Sequence, residues 1–480
     1  MRDSMQLSTT HLAHLYIDGQ WQTAHSERRL EAVNPATQEI FASFPDANAQ
    51  DVEAAVVAAK GAFKSWSTTT AVSRAAWLEK IADEMLVRYD DLVLAHTVAM
   101  GCPQHLAGAF HVDAAIDAMR YYAKLAHTME TVEEQDNVSI FKEAVGVCAF
   151  INPWNYPLHQ LCGKLAPALA AGCTIVTKPA EQTPLQDFIL AEILHKIGFP
   201  AGVFNLVTGT GKSIGPLLSS HSLVDMVSFT GSTAAGIDVA KNAAPSVKRV
   251  CQELGGKSAL IITQDADLAA AVRYAVEDVM ANTGQTCNAL TRLLIPQNLY
   301  ARTLILAEQY ALEQVVGDPL SPQTTMGPIA SQRQLETVLS YIDLGLQEGA
   351  LLVTGGRQPV DLTKGTYIQP TIFADVTNDM RIAREEIFGP VLCIMTYQTI
   401  EQAIDIANDS DYGLSSGVYA KDKASALQIA KHLRAGQCYI QGAYFSLHAP
   451  FGGYKQSGNG REWGEQGMHE YIETKAVISG

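Results

Sequence analysis

VGVCAFINPWNYPLHQLCGKLAPALAAGCTIVTKPAEQTPLQDFILAEILHKIGFPAGVFNLV, residues 145–207, decides the fold. Short apolar runs rich in β-branched and aromatic residues, at 145–151, 174–177 and 203–207, alternate with helical segments at 159–171 and 183–197. The second helix opens with Thr183 as an N-cap and Pro184 at its first position, where an N–H would be unsatisfied anyway. Two further runs, 226–229 and 249–253, follow with helices at 213–220 and 233–242 between them. Successive strands start about 20–30 residues apart, which is βαβ spacing and predicts a parallel sheet with helical crossovers. Open sheets of this kind hold ligands beyond the carboxyl ends of their strands. The residues placed there are 152–157, 178–181, 209–211, 230–233 and 253–256.

Before this block, Asn48 caps a helix whose inner face carries Val52, Ala55, Val56, Ala59 and Phe63. Trp77, Ile81, Met85 and Leu92 continue the spacing in a second helix. The polar stretch 127–142 reads as a hairpin or an arm leaving its domain, and the tail alternates over 471–478. After the block, a second α/β unit opens at 258–263, with a helix at 267–280 and strands at 291–296, 391–395 and 417–419.

The chain has 480 residues, and at about 150 residues per domain this suggests three structural units. With 34 Lys+Arg against 50 Asp+Glu, a formal charge of −16 argues against nucleic acid or an anionic membrane as partner. The longest apolar stretch, 165–176, is interrupted by Pro167, Gly172 and Thr174 and is too short to span a bilayer. The N-terminal residues lack the apolar core of a signal peptide. Eight cysteines without a CxxC pair read as reduced thiols of a cytoplasmic protein.

One thiol differs from the rest. Cys287 sits in the polar, Gly-containing loop Asn282-Thr-Gly-Gln-Thr-Cys287-Asn288, the setting a reactive thiolate needs. Cys148, Cys173, Cys251, Cys393 and Cys438 lie in apolar runs as small hydrophobes; Cys102 and Cys162 lie at helices with no polar cluster nearby. Glu253 ends an apolar strand at the ligand edge, as a general base or as a simple cap. GTGKSIG, at 209–215, is one residue longer than the dinucleotide fingerprint and reads equally as a tight turn. FTGSTAAG, at 229–236, offers Gly231 for close backbone approach and Ser232 at a helix start where anions bind, or else an ordinary capped helix. The His residues are scattered and predict no metal site.

Taken in order, these pieces resemble the NAD(P)-dependent aldehyde dehydrogenase superfamily. The motifs are Pro153-Trp154-Asn155, Thr177-Lys178-Pro179-Ala180-Glu181, Phe229-Thr-Gly-Ser232, Glu253-Leu254-Gly255-Gly256-Lys257, Gly284-Gln285-Thr286-Cys287, Glu386-Ile387-Phe388-Gly389-Pro390 and Pro450-Phe451-Gly452-Gly453. The resemblance implies a Rossmann-like open parallel-sheet cofactor domain (1–125 and 144–255), a second α/β catalytic domain (256–468) and a small β oligomerisation element (126–143 and 469–480). It implies Cys287 as nucleophile toward the aldehyde, Asn155 and the Cys287 N–H as oxyanion donors, Glu253 as the base that activates water, and Lys164 as a proton-moving group. Hydride passes to the nicotinamide from the thiohemiacetal, leaving a thioester.

For the cofactor, the same resemblance assigns the adenosine side to Lys178, Glu181 and Gly211, the pyrophosphate to Ser232 beside the cofactor-binding Gly231, and the nicotinamide side to Trp154, Leu254, Glu386 and Phe388. The Glu181 carboxylate favours a ribose 2′-OH over a 2′-phosphate, so NAD is expected, with NADP as the alternative. Tyr156, Gln160, Gly163, Thr286, Tyr444, His448 and Phe451 are expected to line the substrate pocket. Gly163 stands where many relatives carry a large aromatic and succinate-semialdehyde enzymes an Arg, which predicts a widened tunnel for bulky aromatic or medium-chain aldehydes. Gln441 replaces a common Asn and is expected to tune the pocket. A homodimer or homotetramer follows from the resemblance. The alternatives are a CoA-acylating dehydrogenase, against which Glu253 argues, and a non-catalytic protein that retains the fold.

Overall fold

The computed structural model describes residues 11–128 and 132–480; the expected units at 1–125 and 126–143 therefore include short stretches, 1–10 and 129–131, outside the described residues. The strands predicted around residue 145 form the centre of an eight-stranded sheet. Its parallel core is Phe204–Leu206, Thr174–Lys178, Val147–Ile151, Met226–Thr230 and Arg249–Glu253, in that spatial order. Numbered along the chain this is 3-2-1-4-5, the doubly wound order, and its switch point lies between Val147–Ile151 and Met226–Thr230. All three central strands are buried along their whole length, which is why they read as unbroken apolar runs. The helix Pro157–Ala171 packs across this sheet and is buried on every side.

A seven-stranded sheet follows, built on Arg292–Pro296, Ala259–Ile262 and Ser415–Tyr419, with its own apolar cores on both faces. The third sheet pairs Ile472–Ile478 with Val138–Ala144 and Val132–Gln135, so the stretch expected as a hairpin or arm is a hairpin extended by the tail. Ile472–Ile478 is exposed at every position after the first and, among the described residues, stands at the edge of this sheet.

Asn48 caps Ala49–Ser67 through a reciprocal capping box with Asp51, as its sequence predicts. Two expectations fail locally. The second amphipathic helix stops at Val87, and Leu92 belongs to a separate helix, Tyr89–Met100. Thr183 is not an N-cap: Pro184 takes that position and the helix is Leu185–Lys196, leaving the Thr183 hydroxyl buried without a hydrogen bond.

Candidate active site

Cys287 follows a turn that only a supported backbone tolerates. Asn282, Thr283 and Gly284 are successive left-handed residues, with φ of 51°, 57° and 70°. For the two with side chains this costs about 1–3 kcal/mol each, so their surroundings must hold them. Asn282 Nδ2 donates to the Asn155 carbonyl at 3.2 Å, Thr283 Oγ1 to the Gly327 carbonyl at 3.0 Å, and the Gln285 side-chain oxygen accepts from Ala330 N at 2.8 Å. Gly284 itself admits no Cβ, because Gly389 backbone atoms lie 2.1 Å from where one would sit. The Cys287 loop and the Glu386–Pro390 motif are thus locked together, and Phe388 is also left-handed, with φ of 57°.

The catalytic groups inferred from sequence converge here. Asn155 precedes the N-terminus of Pro157–Ala171, and its Nδ2 donates to the Gln285 carbonyl at 3.0 Å. Its second amide hydrogen remains available for an oxyanion. Glu253 ends its strand 2 % exposed, with neither carboxylate oxygen hydrogen-bonded. Burial, then the neighbouring Glu462, hold its carboxyl well above the usual range against the opposing pull of Lys164 and Arg461. Burial likewise pushes the Cys287 thiol up, and Glu253 and Glu386 add to this. Lys164 is fully buried, 2.7 Å from Glu462 Oε1 and 2.7 Å from Thr230 Oγ1, so it ties the strand end at the switch point to Glu462.

The residues expected to hold the cofactor adjoin this centre. Gly255 brings its backbone so close to Glu386 that a Cβ would meet Oε2 at 2.1 Å, while Gly256 N donates to Glu386 Oε1 at 3.0 Å. Burial raises the Glu386 carboxyl to about 7. Trp154 and Phe388 meet edge-to-face at 5.3 Å beside it. Ser232 caps the start of Thr233–Ala243, its hydroxyl accepting from Ala235 N. Buried Lys178 lies 3.6 Å from the part-exposed Glu181 carboxylate. Gly211 opens the helix Gly211–Ser220, capped by Thr210, with open space where a Cβ would sit.

On the other side of Cys287 lies a cavity of about 780 Å³. Tyr156, Gln160, Thr286, Tyr444, His448 and Phe451 line it as expected, and Tyr156 Oη is 3.0 Å from Thr286 Oγ1. Gly163 does not. Trp463, left-handed at φ 60° and fully buried, covers it, with ring atoms 2.5 Å from a Cβ position at Gly163. The bulk absent from Gly163 is supplied by Trp463, so the expected widening there is not found. Gly163→Ala should overpack this contact and lower stability by about 1–3 kcal/mol, read as a shift in the thermal melt. Gln441 also lies off the cavity: its side chain pairs with both backbone groups of Ala420, a structural clamp. Sequence reading missed the other wall, Leu106, Phe110 and Asp113, because their helix carries a π segment over Ala107–Asp113 that defeats 3.6-residue periodicity.

The aldehyde dehydrogenase family model matches residues 21–477. The chain belongs to this family. A 3-succinoylsemialdehyde-pyridine dehydrogenase from a Pseudomonas species is 47% identical over 465 residues, covering 96% of this chain and 98% of its own. A putative aldehyde dehydrogenase of Staphylococcus aureus is 42% identical over 470 residues, covering 96% and 98%. Among solved structures, aldehyde dehydrogenase C of Pseudomonas syringae, a cysteine-to-alanine variant with NAD+ and octanal, superposes with a TM-score of 0.98 at 44% identity, covering 99% and 98%. Betaine aldehyde dehydrogenase of Staphylococcus aureus with NAD+ gives 0.95 at 36%, covering 98% and 96%. This aldehyde dehydrogenase therefore carries the family fold with thiol, amide and carboxylate gathered at one point. Among the described residues, no helix is long and apolar enough to cross a membrane.

Proposed function

We propose that this aldehyde dehydrogenase oxidises an uncharged aromatic or medium-chain aldehyde to the carboxylic acid with NAD, without CoA. The observation that carries the substrate class is the lining of the cavity. Among the described residues it contains Asp113, Asp117, Glu277 and Asp278 and no Lys or Arg, alongside Phe110, Tyr274, Phe445 and Trp463. A carboxylate tail would meet like charge on aromatic walls, whereas a neutral tail gains apolar burial. The name of the pyridine-semialdehyde relative and the octanal held by the Pseudomonas syringae enzyme agree with this choice. A panel of benzaldehydes, octanal and ω-carboxy aldehydes tests it. The first two should give NADH with kcat/KM at least about tenfold above the third, a difference of about 1.4 kcal/mol. Preference for the ω-carboxy compounds would overturn it.

The chemistry follows from the residues. Cys287 gives up its S–H proton to solvent water and adds as thiolate to the carbonyl carbon, forming C–S as the C=O π pair moves to oxygen. Asn155 and the Cys287 N–H hold that oxyanion. When bound, NAD supplies the hydride acceptor, and the carbon on Cys287 is left as a thioester. Glu253 takes a proton from water, the resulting hydroxide attacks the thioester, and the C–S bond breaks to return the thiolate. A carboxylate with both oxygens free of hydrogen bonds supports water as the acyl acceptor in this reading.

Fit for NAD rests on Glu181, whose carboxylate suits a ribose 2′-OH. Glu181→Ala should raise the NADP-to-NAD ratio of kcat/KM by about tenfold, read from NADPH and NADH yields. The exposed edge Ile472–Ile478 and the hairpin before residue 144 supply the surface for a homodimer or homotetramer, and with it the division into cofactor, catalytic and oligomerisation units.

A further inference from the structure

Aromatic and acidic side chains dominate the tunnel, and Gln160 is a neutral amide among them. It lines the cavity with Trp463, Phe445 and Phe451 and is only 6 % exposed. Its place comes from the helix start. Pro157 opens Pro157–Ala171, and Gln160 N closes the first turn on the Tyr156 carbonyl at 2.8 Å. One turn advances the chain by about 5.4 Å. Asn155, the oxyanion donor of the reading above, lies just before the helix. Gln160, a turn further on, therefore meets the tail of an aldehyde rather than its carbonyl.

The amide is oriented from behind. Lys164, one turn along the same helix, donates to Gln160 Oε1 at 3.2 Å and to Thr230 Oγ1 at 2.7 Å, and it pairs with Glu462 Oε1 at 2.7 Å. These partners occupy an ammonium group that can only donate. The Gln160 oxygen must therefore face Lys164, and its NH2 group must face away. Lys164 is fully buried and does not line the cavity, so the direction left to the NH2 group is the tunnel. Gln160 Nε2 has no hydrogen-bond partner among the described residues, and it is not sealed off as both nitrogens of the adjacent His159 are.

We propose that Gln160 sets the tail specificity of this dehydrogenase, its Nε2 donating a hydrogen bond to an acceptor oxygen or nitrogen on an uncharged aldehyde. Tails that carry a ketone, an ether or a neutral ring nitrogen are then selected over plain hydrocarbon tails. Desolvation is the physical basis. When a hydrocarbon fills the tunnel, the amide loses its water and gains no partner; an acceptor takes the place of that water. A carboxylate also accepts, but it meets Asp113, Asp117, Glu277 and Asp278 in the same cavity. The proposal rests on the neutral-tail reading above and extends it.

The test compares two shape-matched substrates, p-acetylbenzaldehyde with an acceptor and p-isopropylbenzaldehyde without one. Both are run with the parent and with Gln160→Met, whose thioether has no hydrogen to donate. Dividing the acetyl-to-isopropyl ratio of kcat/KM in the parent by the same ratio in the variant cancels intrinsic reactivity and hydrophobicity. The quotient is expected at about fivefold to tenfold, carried by KM. A general loosening of Lys164 slows both substrates together and leaves the quotient at one, which overturns the proposal. A second measurement needs no change at Gln160. In the full chain with Cys287→Ala, the ketone stretch of bound p-acetylbenzaldehyde should fall below its value in hydrocarbon solvent; an unshifted stretch overturns the proposal. Preference for ω-carboxy aldehydes defeats the reading underneath, whereas a quotient of one with neutral tails still preferred defeats this proposal alone.

Discussion

Cys287→Ala should reduce kcat/KM for aldehyde oxidation by a factor on the order of 10⁵, with no acyl adduct formed and no change in fold. The magnitude follows from the role. Without the sulfur there is no thiohemiacetal, and a free aldehyde carbonyl in its place has no comparable hydride donor. The loop does not depend on the thiol for its shape: Asn282, Thr283 and Gln285 hold it through Asn155, Gly327 and Ala330. Steady-state NADH formation and a thermal melt check both halves. Residual activity near the parent level would place the nucleophile elsewhere.

Glu253→Gln should separate the two halves of the reaction. Acylation needs Cys287 and Asn155, which are untouched; hydrolysis needs a base. Mixing enzyme, NAD and aldehyde should release a burst of one NADH per site, followed by turnover slowed about 10²–10³-fold. A pH dependence accompanies this. Burial and Glu462 hold the Glu253 carboxyl well above its ordinary range, and only the ionised form can accept a proton from water. In the parent, turnover therefore rises with pH as that carboxylate forms and is lost as pH falls through its raised value. The variant should lack that limb. A stopped-flow trace without a burst would show that Glu253 acts before the thioester forms.

Much of this was legible in the residues. The strand Val147–Ile151 stands within the apolar run that predicted it, because a strand buried on both faces reads as an unbroken run of apolar residues. Cys287 was separable from seven packing cysteines by its polar loop alone. The position of Trp463 was not legible, since a left-handed φ far along the chain swings its ring over Gly163 and no local pattern records it. The place of His111 beside Cys102 was hidden for a related reason. Cys102 was expected to lack polar neighbours; the π segment supplies His111 as one.

The central claim is that oxidation passes through a thioester on Cys287 that water, not CoA, resolves. Peptide mass spectrometry of Glu253→Gln quenched after one turnover with NAD and octanal tests it. The account predicts an octanoyl mass on the Cys287 peptide, about one per chain, that CoA does not discharge faster than water does. NADH formed in full with Cys287 unmodified would contradict it.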